Sequence, residues 1–294
     1  MAERPPLRLG AVNYLNTKPL VHGLAADGGG YRLTFDLPSR LADDLAAGRL
    51  DVALIPSVEF FQNPTYEIVS DACIACRGPV LSVKLFSRTP LESIKTLALD
   101  EGSRTSAALV QILLRQRFNI APHLEPLPIG ATIGDTSADA VLLIGDRAIH
   151  SPPGSFAAVW DLGDEWQRWS ELPFVFAMWV ARPGINAEQL ASLAAALEGS
   201  RDSGLAHLEA IAQREASLLG LTIPQCLGYL RDNLHFTFGP REQRGLRRFH
   251  QLAAELNLAP AEANLFFHNA DDNALDNDNN DNSLENNANC ASAR

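Results

Sequence analysis

Several places in the chain gather small polar groups where an apolar run stops. Lys95 to Asp100 reads as a strand, and Gly102-Ser103-Arg104-Thr105-Ser106 leads from it into a helix over about 105 to 118. Three hydroxyls and the first N–H groups of a helix then meet at the positive end of its dipole, an arrangement that suits an anion. Ordinary N-capping is the compatible use of Ser103, Thr105 and Ser106. In AVNYLNTKPL at 11–20, the buried strand from Arg8 to Val12 runs into Asn13, Tyr14, Asn16 and Thr17, and Pro19 is placed to open a helix. In AAGRLDVALIPSVEF at 46–60, a helix ends at Gly48 and the strand from Asp51 breaks at Pro56-Ser57. Ser57 is there either a ligand contact or a turn residue. Ala138 to Ile144 is a further apolar strand, ending in Gly145-Asp146, where Asp146 suits a cap as well as a ligand hydroxyl. Strands of an open α/β sheet that end this way make a crevice for a small ligand. The chemistry on offer is placed hydrogen bonding, with no obvious Ser/His/Asp triad.

Other motifs carry less. Cys73-Ile-Ala-Cys76 has no second pair and no histidine at ligand spacing, and residues three apart on a strand face opposite sides, so no metal is expected. The seven histidines form no H-x-x-x-H pair. Gly28-Gly29-Gly30 lacks a phosphate-loop context and reads as a flexible turn joining a helix to a strand. Lys18 and Lys84 read as surface lysines, although each adjoins a polar candidate.

The elements that must position these groups alternate. Short apolar strands and helices follow one another at 7–12, 18–26, 31–35, 38–47, 51–55 and 66–75, the rhythm of a parallel sheet. A second unit starts near Thr89-Pro90, where Ala107, Val110, Leu114 and Phe118 mark the buried side of the 105–118 helix. Leu172 to Val180 reads as a strand buried on both faces, and 186–256 reads as helical throughout, broken at Gly204, Pro224 and Gly239-Pro240. From His268 the chain is nearly all Asn, Asp, Ala and Ser, a composition expected to stay disordered.

A chain of 294 residues is more naturally two lobes than one. Of the net charge of −11, residues 268–294 carry −5, and the remaining −6 without a basic stripe argues against nucleic acid. No apolar run is long enough to span a membrane and MAERPPLRLG has no signal-peptide core, so a cytoplasmic location is expected. The four cysteines make no disulfide framework, which fits a reducing compartment.

YLNTKPL, LDVALIPSVEF, GPVLSVKLFS, ADAVLLIGDRA, LPFVFAMWV and NLHFTFGPREQRGL occur in the order seen in the chorismate dehydratases of the futalosine route to menaquinone. The chain resembles that family from about Leu7 to Phe249. The resemblance implies an α/β fold of the type II periplasmic-binding-protein kind, two lobes joined by two crossing strands with the ligand between them. Lobe one would be 1–88 with 180–267, lobe two 89–179, and 268–294 a tail. It implies a hydro-lyase that converts chorismate, a small dicarboxylate, to 3-[(1-carboxyvinyl)oxy]benzoate without a cofactor. Asn16 and Ser82 match the family's active-site asparagine and serine. Ser57, Ser103, Thr105, Ser106, Gly145 and Asp146 are candidates for holding substrate. Glu242 either reaches the cleft or is an exposed first-turn residue of the 241–256 helix.

Two alternatives remain at this level: a non-catalytic binding protein of the same fold, and the later 1,4-dihydroxy-6-naphthoate synthase of the same pathway. Only six residues precede the first strand, which leaves no place for a helix-turn-helix. YLNTKPL stands where the synthase would carry a Ser-Pro-Cys-Pro-Asn type segment. Oligomeric state is not legible.

Overall fold

The computed structural model describes residues 5–150, 152 and 154–263, so the 268–294 tail lies outside the described residues. Two sheets divide the strands. The seven-stranded sheet holds β1 (Leu7–Val12), β2 (Asp27–Gly28), β3 (Tyr31–Asp36), β4 (Val52–Pro56), β5 (Glu67–Cys76), β11 (Phe174–Ala181) and β12 (His235–Thr237). Its order is β12-β5-β11-β4-β1-β3-β2. The five-stranded sheet holds β6 (Val83–Ser87), β7 (Thr96–Asp100), β8 (His123–Leu127), β9 (Ala140–Ile144) and β10 (Ala158–Asp161), ordered β10-β6-β9-β7-β8.

β3, β1 and β4 are parallel neighbours, and β11 inserts antiparallel between β4 and β5. Every residue of β4 and β11 is buried, which is why both read as unbroken apolar runs rather than alternating ones. The chain thus passes between the sheets twice, at 77–82 and at 171–173. The sequence reading put both changes of lobe several residues late, leaving 83–88 in lobe one and 172–179 in lobe two. Pairing corrects it, since Val83–Ser87 bonds to β9 and β10 while Phe174–Ala181 bonds to β4 and β5. Apolar runs do not reveal which sheet will claim them.

The helices are α1 (Pro38–Ala46), α2 (Ser57–Phe60), α3 (Arg104–Phe118), α4 (Asp146–Ile149), α5 (Leu162–Ser170), α6 (Ala187–Ala206), α7 (Leu208–Glu215), α8 (Ile223–Gly228) and α9 (Pro240–Glu255). In α3, Ala108, Leu109, Ile112 and Leu113 are buried along with Val110 and Leu114, whereas Ala107 and Phe118 are only half-buried. The helix is covered on several sides, by α2, α5 and α9 among others, so no single stripe marks its core face.

Four further expectations fail for local reasons. Residues 18–26 form no regular helix: a 3-10 turn at Leu15–Thr17 continues as hydrogen-bonded turns and ends at Gly23 with φ +81°. The three glycines follow no helix. Asp27–Gly28 pairs with Tyr31 and Arg32, and Gly29 and Gly30 take φ +58° and +82°, the two positive values a tight hairpin requires. Gly204 does not break α6; the Pro19 backbone packs where its Cβ would stand, so the glycine serves a close approach. The segment 186–256 is also not helical throughout, since β12 adds a short strand to the edge of β5.

Candidate active site

The parallel strands β1 and β4 of one sheet and β9 of the other all point their carboxyl ends at a cleft between the sheets. Val12, Asn16, Pro56, Val80, Ser82 and Phe176 line it from one side, with Ser103, Thr105, Ser106, Ile144 and Gly145 opposite. The cleft holds about 510 Å3 free of atoms, part of it open to solvent.

Asn16 sits in the 3-10 turn that follows β1, where Thr17 Oγ1 donates to Asn16 Oδ1 at 3.3 Å. That turn is tied to the opposite lobe, for Leu15 N donates to the Asp146 carboxylate at 3.0 Å. Asp146, proposed from the sequence as a ligand contact, therefore turns to the backbone of the facing wall, and burial raises its carboxyl above the usual range. Gly145 does line the cleft. Its φ of +67° and the Tyr14 ring, 3.0 Å from where a Cβ would stand, both require glycine.

Ser82 closes the crossing segment 77–82. Its N–H donates to Val80 O at 2.7 Å, a tight turn that holds Leu81 at φ 60°, and a left-handed non-glycine residue here is strained. Asp161 holds the strain in place. Its carboxylate accepts from Val80 N at 2.9 Å and Leu81 N at 2.6 Å, and it also caps α5 by accepting from Gly163 N and Asp164 N. Burial nevertheless leaves the Asp161 carboxyl raised. The start of the segment is pinned separately, by Arg77 Nε donating to Glu242 Oε1 at 2.8 Å. Glu242 is fully buried in α9, against the expectation of an exposed first-turn residue. It does not line the cleft. Burial would raise its carboxyl, but the Arg77 hydrogen bond and backbone N–H hold it below the usual range.

The wall formed by α3 is organised locally. Ser103 caps the helix, accepting from Ser106 N at 3.3 Å, and the positive end of a 15-residue helix faces the cleft. Thr105 Oγ1 lines the cleft and accepts from Val58 N at 3.2 Å. Ser57 is fully buried behind it and donates to Val175 O at 2.7 Å. So Asn16, Ser82, Ser103, Thr105, Ser106 and Gly145 come together around the cleft, while Ser57 and the Asp146 carboxylate stand outside its lining.

Of two tyrosines at the site, the sequence offers Tyr14 only as one of the polar groups after β1, and it does not single out Tyr229. Tyr14 lines the cleft, and burial followed by the Asp100 charge pushes its hydroxyl up to about 12, keeping it neutral. Tyr229 lies behind the wall in a π-helical turn, Tyr229–Asn233, and its hydroxyl donates to Ser82 Oγ at 2.9 Å. In the stretch QCLGYLRDN it reads as one more core aromatic, and no local signal sets it apart. The lining side chains carry no charge at neutral pH. Lys84 is half-buried, donating to Ile149 O at 3.4 Å, and Lys18 Nζ lies 3.8 Å from Glu215. Among the described residues no group of three His, Cys, Asp or Glu is placed to hold a metal, and no helix is long and apolar enough to cross a membrane.

A family model described as menaquinone biosynthesis matches residues 7–255. The chain is 31% identical over 272 residues to a chorismate dehydratase of Thermus thermophilus, covering 87% of this chain and 97% of the relative. It is 26% identical over 246 residues to a chorismate dehydratase of Campylobacter jejuni, covering 84% and 93%. Among solved structures, a protein of Archaeoglobus fulgidus aligns with a TM-score of 0.67 at 17% identity, covering 86% of this chain and 98% of that one. The periplasmic aliphatic sulphonate binding protein of Escherichia coli aligns with a TM-score of 0.58 at 16% identity, covering 88% and 94%. The architecture is thus that of the periplasmic binding proteins.

Proposed function

The chain belongs to the menaquinone biosynthesis family, and we propose that it acts there as a chorismate dehydratase, a hydro-lyase yielding 3-[(1-carboxyvinyl)oxy]benzoate. The observation that carries this reading is a cleft lined by neutral donors and one helix N-terminus, with no charged acid or base. Such a lining suits a dianion whose reaction needs placement more than attack.

In the reaction the ring carbon bearing the enolpyruvyl ether loses a proton, and its C–H electron pair becomes part of the aromatic ring. The neighbouring C–O pair leaves with the hydroxyl oxygen, which takes up a proton and departs as water. Aromatisation drives the step. Asn16 offers an amide that can donate and accept without changing charge. Ser82 offers a hydroxyl to the departing oxygen or to a carboxylate. The start of α3, with Ser103, Thr105 and Ser106, is the natural seat for the other carboxylate. Because the lining holds no protein base, the substrate's own enolpyruvyl carboxylate is the group assigned to take the ring proton. Replacing each Glu and His near the cleft tests that assignment, and it fails if one replacement abolishes turnover while binding persists.

Residues 5–76 with 174–263, and residues 83–170, are the two lobes that part to admit substrate. A cytoplasmic location is part of this reading, and fractionation of expressing cells checks it. Incubation of the purified protein with chorismate, followed by chromatography and mass analysis, tests the function itself. A new aromatic product lighter by one water is expected. Untouched chorismate, with no rise in Tm on adding it, would overturn the reading in favour of a binding protein for another ligand.

A further inference from the structure

Ser82 has one buried polar neighbour that lies outside the cleft lining. Tyr229 is 1% exposed, and its hydroxyl donates to Ser82 Oγ at 2.9 Å. A phenol has a single proton. With that proton on Ser82 the bond runs in one direction, and the remaining proton is that of Ser82 itself, at the cleft surface.

We propose that Tyr229 is a positioning residue that fixes Ser82 as a hydrogen-bond donor aimed into the cleft. This rests on the dehydratase reading for the identity of what Ser82 meets, the departing hydroxyl or a carboxylate. Bonds aligned head to tail in a dry environment polarise one another, so Ser82 becomes a better donor than an isolated serine. Tyr229 stays a neutral phenol throughout, because burial raises its pKa far above the ordinary value. The residue belongs to a π-helical turn directly after α8, a widened turn of the kind found at functional positions. The aromatic body is core packing, and the hydroxyl is the functional part.

The test is a double-mutant cycle with Tyr229→Phe and Ser82→Ala in the full chain, assayed for chorismate turnover. Tyr229→Phe keeps the ring and is expected to lower kcat by about tenfold or more with KM changed by less than about threefold. In the Ser82→Ala background the same change is expected to lower kcat no further. A merely structural tyrosine would give equal losses in both backgrounds, and either that result or a wild-type kcat for Tyr229→Phe overturns the proposal. A second readout is independent of catalysis. A slowly exchanging Tyr229 hydroxyl proton is expected in NMR spectra, close to the Ser82 β protons and shifted by Ser82→Ala. If wild-type protein leaves chorismate untouched but that signal is present, the hydrogen bond stands and the dehydratase reading falls. If the signal is absent, the proposal falls whatever the enzyme turns over.

Discussion

The wall of the cleft that carries Asn16 and Ser82 and the wall that carries Ser103 to Ser106 face each other but are held by different means. Around α3 the helix start is built by bonds short-range in sequence, Ser103 capping the helix it begins and Asp100 accepting from Gly102 N at 3.0 Å, with Val58 N on Thr105 Oγ1 as a long-range addition. On the other wall the local bonds, Thr17 to Asn16 and Ser82 N to Val80 O, are joined by supports from far along the chain. Ser82 is met by Tyr229, its loop by Asp161 and Arg77's partner Glu242, and the Asn16 turn by Asp146. The locally built wall presents a helix dipole, which needs little more than a helix start. The remotely built wall presents two neutral side chains in fixed rotamers, which requires support from several elements. The difference separates holding an anion from directing a proton or a leaving group.

The sharpest way to break this contrast is to remove the directed groups. Asn16→Ala and Ser82→Ala are each expected to reduce kcat by about 10²–10³-fold, the loss typical of one preorganised donor. Tm should fall by no more than about 4 °C, since little packing is lost. Turnover assays with thermal melts check both, and a normal rate in either variant removes that residue from the site.

Untying a support comes next. Asp161→Ala leaves four N–H groups without their acceptor and is expected to lower stability by about 2 kcal/mol and kcat by about tenfold as the Leu81 strain relaxes. Ser103→Ala on the other wall removes one cap and is expected to cost about 1 kcal/mol. Equal kcat losses for the two would erase the distinction between the walls.

Beneath the directed wall, β1 and β11 are clamped by Asp51, which accepts from Arg8 Nη2 at 2.7 Å and Arg182 Nη2 at 2.6 Å. Burial alone would raise this carboxyl. The Arg8 and Arg182 bonds outweigh it and hold the group at about 2, against 3.8 when unperturbed. A depressed carboxyl stabilises the fold above the unfolded value and loses that contribution as pH falls toward the folded one. Between about pH 5 and pH 2 the clamp should lose about 2 kcal/mol, and Asp51→Asn should remove that part of the acid dependence. Urea melts across this range measure it. The smallest effect is expected for Lys18→Met and Lys84→Met, with kcat within about twofold of wild type because neither ammonium lines the cleft. A tenfold loss in either would mean that the dianion is met by a lysine after all.

Much of the fold was legible. β1, β4, β5, β11, α1 and α3 appear within a residue or two of their sequence-based bounds, because each is an apolar run or stripe bounded by Gly, Pro or a cap. The α3 wall was legible for the same reason, its signal being contiguous from Gly102 to Ser106. Asn16 and Ser82 were found through their motifs, not through anything their own spacing required. The misplaced parts depend on partners far away in sequence. β6 and β11 change sheet, β12 hides in a helical stretch, and Glu242 is buried because Arg77 meets it.

What the sequence by itself determined is the alternation of strands and helices, the buried central strands and the helix start that faces the cleft, since these follow from periodicity and local hydrogen bonding. Only the tertiary structure decided that Tyr229 reaches Ser82 across 147 positions of chain, that Asp161 stretches across 80 to hold Leu81, and that Asp146 serves a backbone N–H rather than a ligand. A hydrogen bond is specified by where two groups end up, and that is settled by packing the whole chain at once.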